Sequence, residues 1–230
     1  MPTTDYAKRL PSVWEQLLRL IYPAKCIFCG AILPEAAGIN ACKACRAALP
    51  RYNRRFEAVP EIPYLNGLLA AFVYEDEIEK AVRAMKFSSR PRNAETLGYL
   101  MYECITEQEN MPDFDVIVPV PMHKRKKTRR GYNQSELIAQ HLGRHLGIPV
   151  ENLLAKIRNT KAQSLLGREE RLKNLENAVI ATDPDRITGR NILLIDDVTT
   201  TGTTLNTCAR VLYEAGATWI FSAVIAIAGK

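Results

Sequence analysis

The chain contains no apolar run long enough to cross a membrane. A transmembrane helix needs about 20 consecutive apolar residues, and the longest apolar runs here are short and belong to predicted strands. The first 21 residues also lack the unbroken apolar core of a signal peptide. Their spacing predicts an amphipathic helix instead. We therefore expect a cytoplasmic protein with no membrane insertion. The charged residues that interrupt the segment are Asp5, Lys8, Arg9, Glu15 and Arg19.

Several common nucleotide-binding and catalytic patterns are also absent from the sequence. Because no G-x-x-x-x-G-K-[ST] and no G-x-G-x-x-G occurs, a P-loop nucleotidase and a dinucleotide-binding fingerprint are both excluded. No Ser-His-Asp or Cys-His arrangement indicates a protein nucleophile. His141 and His145 are four residues apart, but no glutamate stands between them in the zincin pattern. We interpret them as surface histidines.

The composition is that of an ordinary globular protein, but the positive charge is concentrated in one place. Of 230 residues, 47% are hydrophobic and 24% are charged, which suits one medium domain with a small appendage. The net charge is +6, and residues 124–130 alone contain six cations. We predict that this segment is a basic loop. Its partners could be pyrophosphate, nucleic acid or only water.

Four of the six cysteines form two C-x2-C pairs separated by twelve residues. Two such pairs complete a tetrahedral Zn²⁺ site and leave no position for water, so the spacing predicts a structural rather than a catalytic metal. A redox dithiol pair is the alternative. The other two cysteines, Cys104 and Cys208, are predicted to be buried apolar side chains. The predicted zinc ligands are Cys26, Cys29, Cys42 and Cys45.

Composition and periodicity divide the chain into two predicted parts. Residues 1–57 form an N-terminal helix and a zinc-binding module, and the proline-rich stretch 50–63 is the predicted linker. In residues 58–230, strand-like apolar stretches alternate with stretches of helical spacing. This alternation predicts an α/β fold with a parallel sheet, flanked by helices and joined by right-handed crossovers.

The most informative stretch is NILLIDDVTTTGTT, at residues 191–204. Ile192–Ile195 predict a buried strand, which Asp196 and Asp197 end. A threonine-rich loop with Gly202 then leads into a predicted helix. Ligands bind at the carboxyl ends of parallel strands, where the next helix presents free N–H groups to an anion. The two carboxylates would repel a phosphate and suit a ribose diol, or a magnesium-bound sugar phosphate beside it.

This stretch resembles the phosphoribosyl pyrophosphate (PRPP) signature of type I phosphoribosyltransferases. The resemblance implies that Asp196 and Asp197 hold the ribose hydroxyls, that the following loop holds the 5′-phosphate, and that Mg²⁺ accompanies PRPP. One alternative is the Walker B strand of a P-loop ATPase, which lacks its phosphate loop here. Another is a buried strand ending in a solvated Asp–Asp turn. The implied phosphate-loop residues are Thr199, Thr200, Thr201, Gly202, Thr203 and Thr204.

A wider resemblance covers nearly the whole chain. V-P-V-P-M-H at 118–123, R-G-Y-N-Q-S at 130–135 and the M-K-F turn at 85–87 look like the ComF family of phosphoribosyltransferase-like competence proteins. The four-cysteine module has the same place in that family. The resemblance implies a type I phosphoribosyltransferase-like fold and a role in natural transformation beside other competence proteins. It also rests on Thr160, Gln163, Arg168, Arg171 and Asn174.

The resemblance implies two further groups of site residues. A loop after the strand at 115–118, beside the PRPP strand, would contact pyrophosphate, and its candidates are His123, Lys124 and Arg130. Residues 158–174 have the place of a lid that closes over PRPP. An ordinary charged helix is an equally good interpretation of that segment. The lid candidates are Gln163, Arg168 and Arg171.

Two functions are consistent with the sequence. The protein could be a phosphoribosyltransferase that acts in DNA uptake, transferring phosphoribosyl to an unknown acceptor with release of pyrophosphate. It could instead be a non-catalytic PRPP- or single-stranded-DNA-binding protein of the competence machinery. Only Tyr132 offers an aromatic ring near the basic segment, so backbone contacts are the expected mode of DNA binding. No motif identifies the acceptor.

Overall fold

A computed structural model describes residues 23–34, 37–52, 56, 62–87, 90–109, 111–158 and 178–229. The predicted N-terminal amphipathic helix lies outside these residues. The strands are β1 (Gly67–Val73), β2 (Val116–Pro119), β3 (Leu154–Lys156), β4 (Val179–Ala181), β5 (Asn191–Thr199) and β6 (Trp219–Ile227). The helices are α1 (Lys43–Ala48), α2 (Asp76–Phe87), α3 (Asn93–Thr106), α4 (Lys124–Arg130), α5 (Gln134–Leu146) and α6 (Thr203–Glu214). None of these helices is both long and apolar enough to span a membrane.

Four strands form a parallel sheet in the order β1-β6-β5-β2. Alternate side chains of each strand point to opposite faces, and each face has its own core. Leu193 and Ile195 belong to the core shared with α2, α3 and α5, whereas Ile192 and Leu194 belong to the core shared with α6. Because both faces of β5 are covered, its sequence is a continuous apolar run rather than an alternating one. The predicted sheet flanked by helices is confirmed.

The strand pair β3 and β4 differs from the prediction of a parallel sheet within residues 58–230. The two strands pair with each other in antiparallel fashion, outside the main sheet. Val179 is buried and the next residue, Ile180, is 43% exposed. One covered face and one solvated face are typical of antiparallel strands, whereas parallel strands are covered on both faces.

Two boundaries around the predicted site also differ from expectation. The basic segment is not a loop: it forms α4, which begins after His123 and ends at the left-handed Gly131. His123 Nδ1 accepts a hydrogen bond from Arg125 N (3.2 Å), so the imidazole caps this helix. Strand β5 does not end before the aspartates but continues to Thr199. Its ladder with β6 includes Asp196, paired with Val224, because main-chain pairing is indifferent to side-chain polarity.

The segment that follows the cysteines packs directly on the sheet. Val73 N donates to Pro50 O (2.8 Å) and Tyr52 N donates to Ala71 O (3.0 Å), so residues 50–52 run antiparallel along the free edge of β1. Leu49 is buried in the same core as α3. The region between the cysteines and β1 is therefore partly an edge strand, although it is rich in proline.

Candidate functional site

The two aspartates of β5 lie at the carboxyl end of the sheet and are held by different elements. Asp196 Oδ1 accepts hydrogen bonds from Ser135 Oγ of α5 (2.8 Å) and from the N–H of Asp197 (2.8 Å). Asp197 Oδ1 is 2.9 Å from Nζ of Lys86, which lies in the last turn of α2. We call Asp196 and Asp197 the acidic pair. Its carboxylates are fixed by residues that lie about 60 and 110 positions earlier in the chain.

The environment of the acidic pair makes one of its carboxyls hard to ionise. Burial, together with the charge of Asp197, raises the pKa of Asp196 from 3.8 to about 7, although the hydrogen bond from Ser135 and the charge of Lys86 oppose this shift. Burial tends to lower the pKa of Lys86, but the charges of Asp197 and Asp196 outweigh it and raise that pKa. A carboxyl with a strongly shifted pKa in a cleft is typical of a functional site.

Residues 199–204, which we call the threonine loop, connect β5 to α6. Gly202 is left-handed (φ 70°) and immediately precedes the first helical residue, Thr203. A Cβ atom at Gly202 would lie 2.1 Å from Cδ1 of the buried Ile62, so both conformation and space require glycine here. Thr199 and Thr203 are buried, whereas Thr200 and Thr201 are exposed. The N–H groups of the first turn of α6 have no intrahelical partners and therefore favour an anion at this end.

The R-G-Y-N-Q-S motif (residues 130–135) joins the elements around this site. Tyr132 donates its hydroxyl to the carbonyl of Met85 (2.5 Å), which fixes the last turn of α2. Asn133 donates its amide to the carbonyl of Val120 (2.9 Å), which fixes the loop after β2. The M-K-F sequence, which the bond from Tyr132 to Met85 anchors, is thus the end of a helix rather than a turn.

Two further hydrogen bonds involve the other polar residues of the motif. Arg130 donates to Oε1 of Gln134 (2.6 Å), and Gln134 is only 1% exposed. Ser135, at the start of α5, makes the hydrogen bond to Asp196 described above. The motif therefore holds α2, the loop after β2 and the acidic pair together through these hydrogen bonds. The sequence marked these residues as characteristic but did not predict this positioning.

These elements surround a cleft of about 280 Å³. Burial lowers the pKa of Lys156, and the charge of nearby Lys126 lowers it further. Burial and the charge of Arg130 likewise lower the pKa of Lys126. Several cations crowded together in this way indicate a site for a multiply charged anion. The lining residues are Lys86, Val120, Pro121, Met122, His123, Lys126, Arg130, Asn133, Gln134, Ser135, Lys156, Asp196, Asp197, Val198 and Thr204.

The structure brings some of the predicted site residues together and leaves others apart. His123 and Arg130 line the cleft with the acidic pair, but Lys124 is exposed on α4 and does not. Lys126 takes its place because α4 is a helix, which turns this residue inward. The predicted lid residues Gln163, Arg168 and Arg171 lie outside the described residues.

Three lining residues were missed by the sequence analysis, which gave no site role to Lys86, Lys126 or Lys156. Lys86 stands in an ordinary amphipathic helix, and Lys126 is one of six neighbouring cations. Lys156 ends a three-residue strand. Nothing in their local sequence separates them from solvated lysines, and the only available signal was the position of Lys86 within the M-K-F motif.

The four predicted zinc ligands form a second polar centre. Their sulfur atoms all lie within 4.8 Å of one another, and Cys29 Sγ is 3.8 Å from Cys42 Sγ. A tetrahedron with Zn–S bonds of about 2.3 Å has sulfurs about 3.8 Å apart, so the donor set fits Zn²⁺. Burial disfavours a thiolate at Cys26, but backbone N–H groups, that of Cys29 foremost, outweigh it and lower its pKa to about 6. The two other cysteines, Cys104 and Cys208, are buried as predicted.

The cysteine cluster is tied to α3 by one side chain of α1 and one that follows it. Arg46 forms an ion pair with Glu103, and Arg51 forms one with Glu107 (2.8 Å). The ring of Tyr99, also on α3, lies 5.9 Å from the Arg46 guanidinium. A bound metal would therefore stabilise a segment that is already docked on the sheet layer.

Two known domain families match this chain. Residues 129–230 match the phosphoribosyl transferase domain family, and residues 17–56 match the double zinc ribbon domain family. Among solved structures, the chain is similar to a glutamine PRPP amidotransferase from B. subtilis (22% identity, TM-score 0.39, covering 57% of this chain and 26% of that one). It is also similar to an adenine phosphoribosyltransferase from Thermoanaerobacter pseudethanolicus (14% identity, TM-score 0.38, covering 67% and 88%).

Curated relatives give a consistent family. Competence protein F of Haemophilus influenzae is 28% identical, covering 85% of this chain and 88% of its own. DNA utilization protein YhgH of Escherichia coli is 31% identical, covering 67% and 69%. Competence protein ComFC of Bacillus subtilis is 34% identical, covering 64% and 58%. With a type I phosphoribosyltransferase fold and a four-cysteine zinc ribbon segment, the chain belongs to the ComF family.

Proposed function

We propose that the protein binds PRPP in the cleft and acts in the handling of incoming DNA, as the names of its relatives suggest for them. The observation that carries the first part is the acidic pair at the carboxyl end of β5, followed by the threonine loop and the N-terminus of α6. In this proposal the acidic pair accepts the diol of a sugar phosphate, and the start of α6 holds its phosphate. The cytoplasm, where PRPP is available, is the proposed location.

Different residues of the cleft bind different parts of PRPP in this proposal. The acidic pair accepts hydrogen bonds from the ribose hydroxyls, and the threonine loop with the first turn of α6 holds the 5′-phosphate. His123 and Arg130, with Lys126, face the pyrophosphate group. Mg²⁺, bound by oxygens of PRPP, would neutralise part of the charge of the pyrophosphate. The predicted lid of residues 158–174 would exclude water from the reacting carbon.

Transfer, where it occurs, needs no protein nucleophile. A nitrogen of the acceptor attacks C1′ and forms the new bond. The bond from C1′ to the pyrophosphate oxygen breaks, and pyrophosphate leaves with the electron pair. The acceptor nitrogen gives up its proton, which an oxygen of the departing pyrophosphate accepts. Fixed cations next to the leaving group and fixed carboxylates on the diol stabilise the transition state by position and charge. The identity of the acceptor is open in this proposal.

Calorimetric titration with PRPP and Mg²⁺ tests the site. A hydrogen bond to a charged group contributes about 1.5–3 kcal/mol, so we expect Asp197→Asn to weaken binding roughly 10- to 100-fold. The double variant with Asp196→Asn should weaken it further. Asp185→Asn, at an exposed position away from the cleft, is the matched control. Equal affinity in the double variant and in this control would refute the assignment.

A release assay separates the enzyme from a binding protein. Pyrophosphate is measured at saturating PRPP with a panel of free bases and amines, and the double aspartate variant serves as the blank. Release that depends on the acidic pair supports transfer. No release with any acceptor, despite measured PRPP binding, supports the non-catalytic hypothesis.

The outer face of α4 favours a second candidate function, contact with single-stranded DNA. Lys126 and Arg130 line the cleft, whereas Arg125 and Arg129 are exposed. A helix with cations on both sides can bind an anion in the cleft with one set and a phosphate backbone with the other. The salt dependence of DNA binding tests this candidate.

A further inference from the structure

We propose that Lys86 is a positioning residue for the acidic pair: its ammonium group supplies the counter-charge that lets both carboxylates accept hydrogen bonds from a diol. The proposal rests on the proposed function for the identity of that diol. Its Nζ lies 2.9 Å from Asp197 Oδ1, and both side chains border the cleft.

Two neighbouring carboxylates in a mostly buried place have a charge problem. Asp197 is 7% exposed, and Asp196 and Asp197 are adjacent in the chain. Like charges so close together favour retention of a proton by one of them. A protonated carboxyl has lost part of its capacity as an acceptor. A diol that donates two hydroxyl protons needs the pair fully ionised, so a cation beside it has a direct effect on binding.

The part of α2 that carries Lys86 is fixed in place beside the acidic pair by two hydrogen bonds. The hydroxyl of Tyr132 bonds to Met85 O (2.5 Å), and the amide of Asn93 bonds to Ala81 O (3.0 Å). These two bonds fix the last turns of α2 to the R-G-Y-N-Q-S motif and to α3. Two side chains from other elements thus fix the backbone that carries Lys86, which is more than a solvated surface ion pair shows.

Other charged groups also face the acidic pair and could contribute. The charge of Lys86 favours ionisation of Asp196, whereas that of Asp197 opposes it. Burial raises the pKa of the Tyr74 phenol, and the charge of Asp197 contributes to this rise. Lys86 nevertheless forms the one ion pair found with the acidic pair among the described residues. The titratable or charged groups near the pair are Tyr74, His123, Lys126, Arg130, Lys156 and Cys208.

The first measurement needs no ligand. Aspartate carboxyl carbons are labelled with ¹³C, and their chemical shifts are followed from pH 4 to 9 in the wild type, Lys86→Met and Lys86→Arg. Methionine keeps the length of the side chain and removes its charge. We expect Lys86→Met to raise the pKa of Asp196 and Lys86→Arg to leave it near the wild-type value. Lys80→Met is the matched control, because Lys80 is an exposed lysine of the same helix, paired with Glu77.

The second measurement is PRPP–Mg²⁺ affinity at pH 6 to 9. If the pKa of Asp196 rises by about one unit from about 7, Lys86→Met should bind about fivefold more weakly than the wild type at pH 7 and nearly tenfold more weakly at pH 6. The deficit should shrink as pH rises and the pair ionises. Expressing each value relative to the wild type at the same pH cancels the titration of PRPP itself. Lys86→Arg should stay within about threefold.

The outcomes separate this proposal from the proposed function. An unchanged Asp196 titration in Lys86→Met, or an affinity deficit that is the same at every pH, would overturn the role of Lys86. Absence of PRPP binding by the wild type would refute the proposed function, while the carboxyl titration would still decide about Lys86. Should Lys86→Met fail to fold, its combination with Asp197→Asn removes both charges of the ion pair. Asp196 should then titrate at higher pH than in Asp197→Asn alone, and equal titration in these two variants would contradict the proposal.

Discussion

The cysteine cluster and the acidic pair are two groups of potential anions that find their counter-charge in opposite ways. The four sulfurs of the cysteine cluster lie within 4.8 Å of one another. Their donor set fits an ion that must come from solution. The acidic pair has Lys86 at 2.9 Å, a cation from another part of the same chain.

This difference has consequences for folding and for regulation. A site whose counter-charge is an external ion couples its local fold to the supply of that ion. A site whose counter-charge is a side chain is complete when the tertiary structure is complete. Metal availability should therefore affect residues 23–52 much more than it affects the cleft, and changes of the cleft should leave the cysteine segment intact.

Removal of one zinc ligand is expected to have the largest effect. Cys42→Ser should abolish tight zinc binding and cost several kcal/mol locally, because structural zinc sites contribute on the order of 10 kcal/mol in small domains. We expect amide hydrogen exchange to accelerate across residues 37–52 while β5 and β6 keep their protection. Cys104→Ala, a buried cysteine outside the cluster, is the control. Equal exchange in the two variants would mean that the segment does not depend on a metal.

The threonine loop should respond next. Gly202→Ala forces a left-handed alanine, at about 1–2 kcal/mol, and pushes its Cβ against Ile62, for which overpacking typically adds about 1–3 kcal/mol. We expect urea unfolding to show the sum of both costs. Gly189→Ala is matched, because Gly189 is equally left-handed (φ 76°) with open space around it, so it should show the first cost alone. Identical losses in both variants would exclude the Ile62 contact as a constraint.

The pH dependence of stability offers a smaller but specific effect. The folded pKa of Asp196 is raised, so the folded protein keeps a proton that the unfolded chain releases. The stability that this proton contributes is complete below about pH 4 and is lost as pH rises towards about 7. We expect the difference in unfolding free energy between wild type and Asp196→Asn to change in this window with that sign. PRPP affinity should rise with pH over the same range. A pH-independent difference would contradict the raised pKa.

The smallest effect concerns the outer face of α4. Replacing Arg125 and Arg129 by glutamine removes two potential phosphate contacts, and each contributes about 0.7 to the salt slope of single-strand binding. The slope should therefore fall by about 1.4, with PRPP affinity unchanged. Arg83→Gln with Arg186→Gln, two exposed arginines on other elements, is the control. An equal change of the salt slope in the control would mean that α4 contributes only through the net positive charge of the protein and makes no specific phosphate contacts.

Much of the fold was predictable because its signals are local. The apolar run at 192–195, for example, predicted a strand that the structure contains. The antiparallel pairing of β3 with β4 was not predictable, because three-residue strands carry no signal of their partner. The basic segment was interpreted as a loop because its charges hide helical periodicity, and a helix without apolar residues shows no amphipathic pattern.

The candidate site divides in the same way. The sequence by itself determined the cysteine spacing, the acidic pair and the glycine of the threonine loop, since each is a short run whose chemistry depends on neighbours in the chain. Only the tertiary structure decided that Lys86 is the counter-ion of Asp197, that Ser135 fixes Asp196, and that Lys126 rather than Lys124 faces the cleft. The physical reason is that a lysine or serine has the same local sequence signature in solvent as in a site. Its partner is chosen by the packing of helices that are distant in the chain.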